Sequence, residues 1–296
     1  MTQKIIDSHF HIWRQADQPW LVGPMVPRIF GPYEPIRRDY PMSEYLADRA
    51  GTGVEKAVYV QTNWAKQDFE KEAAWLQETA DATGWPHAIV AYADMTADDV
   101  RPQLDRLKAY PRVRGVRMQL HWHENADFRF AASAGQVLDK TVRRNVARLR
   151  DYGFSFDLQL FPAQMRDGAV MVGENPEIDF VLTHTGMLVD REAKTVEEWE
   201  AGLAAMASFD NFSAKLSGLG TFVHRNDPEL IAFIVARANA ILGSRKLIFG
   251  SNFPIEKLWT DYSSLVAAHV AAAAKLPPQD RENIFWNTAE RVYRPV

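Results

Sequence analysis

The sequence predicts a single-domain α/β chain folded as a (β/α)8 barrel. Eight short apolar, β-rich runs recur along the chain, and stretches with helical periodicity separate them. The alternation occupies all 296 residues, a length ordinary for one barrel. No GxGxxG turn follows the first run, which counts against a doubly wound nucleotide-binding sheet.

The eight runs are KIIDSHF (4–10), EKAVYVQ (55–61), HAIVAYA (87–93), VRGVRMQL (113–120), FSFDLQL (154–160), DFVLTH (179–184), FSAKLSG (212–218) and KLIFGSN (246–252). Such short runs between turn signals suit a parallel sheet buried on both faces. Between them, QDFEKEAAWLQETADATG carries helical spacing. DPELIAFIVARANAILG opens on an Asp-Pro cap signal and closes on glycine, and DYSSLVAAHVAAAAKL is alanine-rich and strongly helical. The irregular segment is 19–41, with six prolines. Proline fixes φ and removes a donor, so no regular element is expected there. The segment leaves the first strand, which predicts an arm or lid over one end of the barrel.

Composition narrows the class. The net charge is −4 and no basic tract exists, so neither nucleic acid nor an anionic membrane is an expected partner. No apolar run approaches the ~20 residues of a membrane span. The N-terminus enters a strand pattern without an apolar leader, and cysteine is absent, which excludes disulfides and thiolate ligands; a cytoplasmic protein is expected. Homo-oligomerisation stays open.

A barrel of this kind builds its active site at the C-terminal strand ends. Strand one ends in His9 and His11, two apart and therefore on one side of an extended strand, where paired imidazoles can hold a metal or bind a substrate oxygen. Strand four offers Arg117 and Gln119, with His121 following in an HWHE run. Strand five offers Asp157 and Gln159, strand six His184, strand seven Lys215 and Ser217, and strand eight Ser251 and Asn252. Lys215 and Asp157 could instead form a buried ion pair. His224 falls in the loop after strand seven, at the expected mouth. His87 and His269 read as ordinary packing histidines, and Trp199 as helix packing.

DSHFHIW, VRGVR, VLTHTG, AKLSGL and FGSNFP, in that order along nearly the whole chain, resemble the amidohydrolase superfamily. The likeness is to its amidohydrolase-related group of sugar-lactone and 2-pyrone-4,6-dicarboxylate lactonases. The resemblance implies a (β/α)8 barrel and a hydrolase that opens a small carboxylated or sugar lactone. It implies metal or catalytic roles for His9, His11 and His184, an acid-gripping role for Arg117, and a site role for Lys215. One divalent ion, zinc foremost, or no metal at all is implied. The group's GSDWP motif ends strand eight with an aspartate that takes a proton from the attacking water. Here Asn252 stands at that position and Phe253 replaces the tryptophan. An amide donates and accepts hydrogen bonds but neither takes a proton nor carries charge. A histidine or Asp157 is then expected to act as the base, with substrate contacts from Arg117, Lys215, Gln119, Asp157 and His224. Arg114 is a further candidate for gripping an acid. The alternatives are a non-catalytic small-acid-binding relative and a metal-dependent decarboxylase of aromatic acids.

Overall fold

The computed structural model describes residues 3–296. Eight strands, β1 (Ile5–Phe10), β2 (Val54–Val60), β3 (Ala88–Ala91), β4 (Val113–Val116), β5 (Ser155–Leu158), β6 (Phe180–Leu182), β7 (Phe212–Leu216) and β8 (Leu247–Phe249), form one sheet. They pair in sequence order, every pair parallel. With helices around them this is the predicted (β/α)8 barrel. Most strands end earlier than the apolar pattern suggests, because the polar residues at their C-terminal ends leave the ladder and turn toward the barrel mouth.

The seam between β1 and β8 is closed by individual hydrogen bonds. Ser8 Oγ donates to the Phe249 carbonyl at 2.7 Å. Beyond the strand ends, the Asn252 amide N donates to the His9 carbonyl at 2.6 Å and the His11 amide N to the Phe253 carbonyl at 2.7 Å. Gly250 makes this approach possible, since a Cβ there would lie 2.7 Å from the His9 Cβ. Register slips between Asp7 and Phe10 in the β1–β2 pairing. That slip reverses the side-chain parity, so Ile6 can pack inside the barrel while Phe10, an even number away, packs outward on Tyr45.

Two apolar cores follow. The larger lies between sheet and helices, and the smaller fills the barrel with Ile6, Val58, Val90, Val181 and Ile248, plugged by Tyr293 from the C-terminal helix. The helix Phe69–Thr83 ends at Gly84, at φ 81°. The helix Pro228–Leu242 starts where the Asp-Pro pair predicts, with the Asp227 carboxylate accepting from the Glu229 and Leu230 amides. Such a cap contributes about 1 kcal/mol. Among the described residues no helix is long and apolar enough to cross a membrane.

Within the barrel, Lys215 Nζ donates to Asp157 Oδ2 at 2.5 Å, with both side chains at 0% exposure. Tyr293 OH donates to the other carboxylate oxygen at 2.7 Å. Asp157 and Lys215 come from alternate strands, as one layer of a barrel interior requires. Replacing Lys215 with Met strands the carboxylate in the core and should lower stability by about 3–5 kcal/mol. Urea unfolding checks this, and the Lys215→Met/Asp157→Leu pair should recover most of the loss.

Candidate active site

The C-terminal strand ends surround a cavity of about 450 Å³. His9, His11, Arg117, Gln119, His184 and Asn252 all line it. Gln159 and His121, which the sequence also offers, line it too, so eight of the sequence-predicted residues meet at one place. The Pro-rich segment, starting with a short helix at Pro19–Val22, forms one wall through Trp20, Arg28 and Phe30. It is anchored by Trp20 Nε1 donating to the Thr62 carbonyl at 2.9 Å.

The three histidines are close and differently held. Ring centroids lie 5.0 Å apart for His9 and His11, and 4.8 Å apart for His9 and His184. His11 Nδ1 donates to the Val60 carbonyl at 2.7 Å, which leaves its Nε2 as an acceptor. His184 Nδ1 lies 2.9 Å from Ser217 Oγ. Both ring nitrogens of His9 are buried without a partner. His184 and Asn252 hold left-handed backbone, at φ 55° and 56°. His and Asn tolerate that region better than most side chains. The His184 turn is pinned by Trp199 Nε1 donating to the Thr185 carbonyl at 2.6 Å, a role beyond packing. Gly218 lies against the ring: a Cβ there would be 2.5 Å from His184 Nδ1.

Burial keeps every one of these imidazoles neutral. It pulls His9 and His184 well below the ordinary histidine value, and His11 down to about 3, with the Arg117 charge adding to each depression. Arg117 is itself 4% exposed. Burial lowers it to about 10, so it remains a cation. Its Nη2 donates to the Gln61 carbonyl at 2.5 Å, Nη1 reaches Gln159 Oε1 at 3.4 Å, and Nε has no partner. Among the described residues no carboxylate forms an ion pair with it. The buried Asp157 and Glu72 act on it only from a distance, and a buried guanidinium with an unpartnered Nε that faces a cavity suits an anion or a strongly polarised oxygen.

The remaining predicted residues lie elsewhere. Asp157 and Lys215 do not line the cavity and are bonded instead to each other, with Tyr293 on the second Asp157 oxygen. His224 is exposed, its ring beside Gly31 and Trp259, and does not line the cavity. Arg114 points to the opposite end, where its Nε bonds the Arg294 carbonyl at 3.4 Å. His121, offered by the sequence beside Arg117 and Gln119 and in the HWHE run beyond strand four, is buried, lines the cavity, and has no partner on either ring nitrogen. Sequence reasoning missed Gln61, whose signal was the polar end of EKAVYVQ, and Arg28 and Arg129, which arrive on loops without any signal.

For a divalent ion, the donor chemistry fits. Three neutral imidazoles, with His11 held through Nδ1 by a carbonyl, suit one zinc-type ion. Among the described residues, however, no three His, Asp or Glu side chains converge as a preformed metal site.

The chain belongs to the amidohydrolase family, whose model matches residues 6–294. It is 32% identical to an uncharacterized protein of Sinorhizobium fredii, over 98% of each chain. It is 23% identical to the L-fucono-1,5-lactonase of Burkholderia ambifaria, over 98% of this chain and 95% of that one. An amidohydrolase from Burkholderia multivorans superposes at a TM-score of 0.82 with 26% identity, covering 99% of this chain and all of that one. One of its crystal forms holds HEPES and another holds zinc.

A pH dependence follows from His121, which burial and then Arg117 hold down to about 3. A depressed folded value means that the unfolded chain binds the proton more readily. Stability is therefore full above the unfolded value near 6.5 and falls as pH drops toward 3. Each such histidine contributes up to about 1.4 kcal/mol per pH unit in that window. The melting temperature of His121→Gln should fall less steeply on acidification than that of the parent.

Proposed function

We propose that this amidohydrolase opens a small carboxylated or sugar lactone by attack of water at the barrel mouth. The observation that carries this reading is the Arg117 guanidinium, buried without an ion-pair partner, beside the neutral, unpartnered rings of His9 and His121 in one cavity. The lactonase likeness supports it at low identity.

In this mechanism Arg117 binds the substrate carboxylate or polarises the ring carbonyl. An anion there cancels the Arg117 contribution that depresses His11, and so raises the basicity of the ring when substrate is bound. His11 Nε2 takes a proton from water as its oxygen forms a bond to the carbonyl carbon. The Val60 carbonyl, already on Nδ1–H, stabilises the imidazolium. The ring C–O bond breaks, and the leaving alkoxide takes the proton back from His11. The hydroxy acid formed then releases a proton to solvent. Asn252, beside His11, orients the water through its amide. The 19–41 arm excludes solvent once substrate is in place. If a zinc-type ion is held by His9, His11 and His184, it supplies Lewis acidity and a more acidic bound water.

A pH indicator reads the test directly. Proton release from sugar, pyrone and muconate lactones is followed with chelated protein and with added zinc. At least one lactone should open, and His11→Ala should lower its kcat/KM by about 10²–10⁴-fold. An unchanged kcat/KM in His11→Ala removes the assigned base. Silence across the panel removes the lactonase reading.

A further inference from the structure

The cavity has two halves of different chemistry. Its floor is made by buried strand ends, with Arg117, the histidines and Asn252. Its outer wall is made by two loops and is largely aromatic. Trp20, Val26 and Phe30 come from the 19–41 arm, and Phe130 comes from the loop after β4. Among the described residues six large apolar side chains are exposed. Val22, Met25 and Val26 lie on the arm and Phe130 on the facing loop, so exposed apolar surface collects at this mouth. The arm does not need Phe130 for its own packing, because the buried rings of Trp13, Tyr33 and Tyr40 already lie beneath it.

Local contacts hold both walls in place. Trp20 and Phe30 pack edge to face, 6.2 Å between ring centroids. The Gly31 amide N donates to the Arg28 carbonyl at 2.9 Å, which closes a turn and sets Arg28 and Phe30 within it. Gly31 takes a left-handed φ of 72°, and a Cβ on it would lie 2.8 Å from His224 Cε1. On the facing loop, the Phe130 amide N donates to the His121 carbonyl at 3.0 Å, and the two rings lie 5.2 Å apart. Phe130 thus continues directly from the floor. Arg28 joins the walls: its guanidinium carbon is 5.7 Å from the Trp20 ring centre and 5.6 Å from that of Phe130. Its Nε is buried without a hydrogen-bond partner. Among the described residues no ion pair includes it. Asp127 and Arg129, exposed on the Phe130 loop, put opposite charges at the rim.

We propose that this outer half is a subsite for an aromatic substituent on the lactone, held between Trp20 and Phe30 of the arm and Phe130 of the facing loop, with the Arg28 guanidinium at its edge. This rests on the reading of the floor as the place where the lactone is bound and opened. The volume of about 450 Å³ falls in the range of sites that enclose drug-sized ligands, about 300–1,000 Å³, and a bare lactone ring on the floor leaves the outer half empty. A polyhydroxylated substituent would press its hydroxyls against ring carbons along this wall. An aryl group instead buries its faces against three rings and offers a π-face to a cation already stacked there. An aliphatic group gains the burial without the ring–ring and cation–ring contacts.

Calorimetric titration compares 4-hydroxybutanoate with its 4-phenyl and 4-cyclohexyl derivatives, the acids formed when the corresponding γ-lactones open. The phenyl acid should bind the parent about ten- to hundredfold more tightly than the unsubstituted acid, from the apolar area it buries. It should also bind about two- to tenfold more tightly than the cyclohexyl acid, from stacking. Phe130→Ala should lower the phenyl-to-unsubstituted ratio by about three- to tenfold, and Phe130→Leu, which keeps apolar area but no ring, should shrink the advantage over cyclohexyl. Phe130 is 47% exposed on a loop, so both variants should melt as the parent does. If none of the acids binds, the uncharged γ-lactones are compared in the same way in His11→Ala. A phenyl member no tighter than the unsubstituted or the cyclohexyl one, or a phenyl preference untouched by Phe130→Ala, overturns the proposal. A phenyl preference without turnover of any lactone by the parent removes the lactonase reading and leaves the subsite. Turnover of unsubstituted lactones without a phenyl preference does the reverse.

Discussion

The seam that closes the barrel is the constraint on which the site depends. β1 and β8 meet through a few hydrogen bonds at their C-terminal ends, and two of these join Asn252 to His9 and His11 to Phe253. Closure and assembly of the site are thus one event. The register slip after Asp7 turns His9 and His11 into the mouth, and Gly250 lets the neighbouring backbone come close enough to complete the ring. Beneath the seam, Asp7 is held by Ser251, Tyr45 and Tyr262, so the start of the HxH segment is tied to β8 and to two outer helices.

Electrostatics then divides the barrel into two levels. In the lower one, Lys215 and Asp157 neutralise each other and leave nothing free. In the upper one, Arg117 keeps its charge; it bonds a carbonyl and an amide and lies among neutral histidines, with the charges of Asp157 and Glu72 reaching it from further off. The separation explains why the charged residues of strands five and seven, alike in sequence to site residues, do not line the cavity. It also gives the imidazoles their character: they are weak bases while the cavity is empty of anions, and stronger ones when an anion meets Arg117. Chemistry is thereby coupled to occupancy.

Much of the fold was legible, because burial on both faces of a parallel sheet leaves continuous apolar runs and because caps such as Asp227 have a local sequence signature. His9, His11, Arg117, Gln119, His184 and Asn252 were legible as polar strand ends. Asp157 and Lys215 were ambiguous for a physical reason: a strand-end carboxylate and ammonium look the same in sequence whether they face a ligand or each other. Arg28 and Arg129 reach the cavity on loops, whose course depends on tertiary contacts that no local period encodes.

The central claim is that a buried Arg117 without an ion-pair partner recognises an acid group at this mouth. Calorimetric titration of small hydroxy acids, the products of lactone opening, into the parent and into Arg117→Gln tests it most directly. The account predicts binding to the parent and a roughly ten- to hundredfold loss in the variant, as expected for losing hydrogen bonds to a charged group. Equal affinity in the two proteins, or no binding of any such acid to the parent, would contradict it.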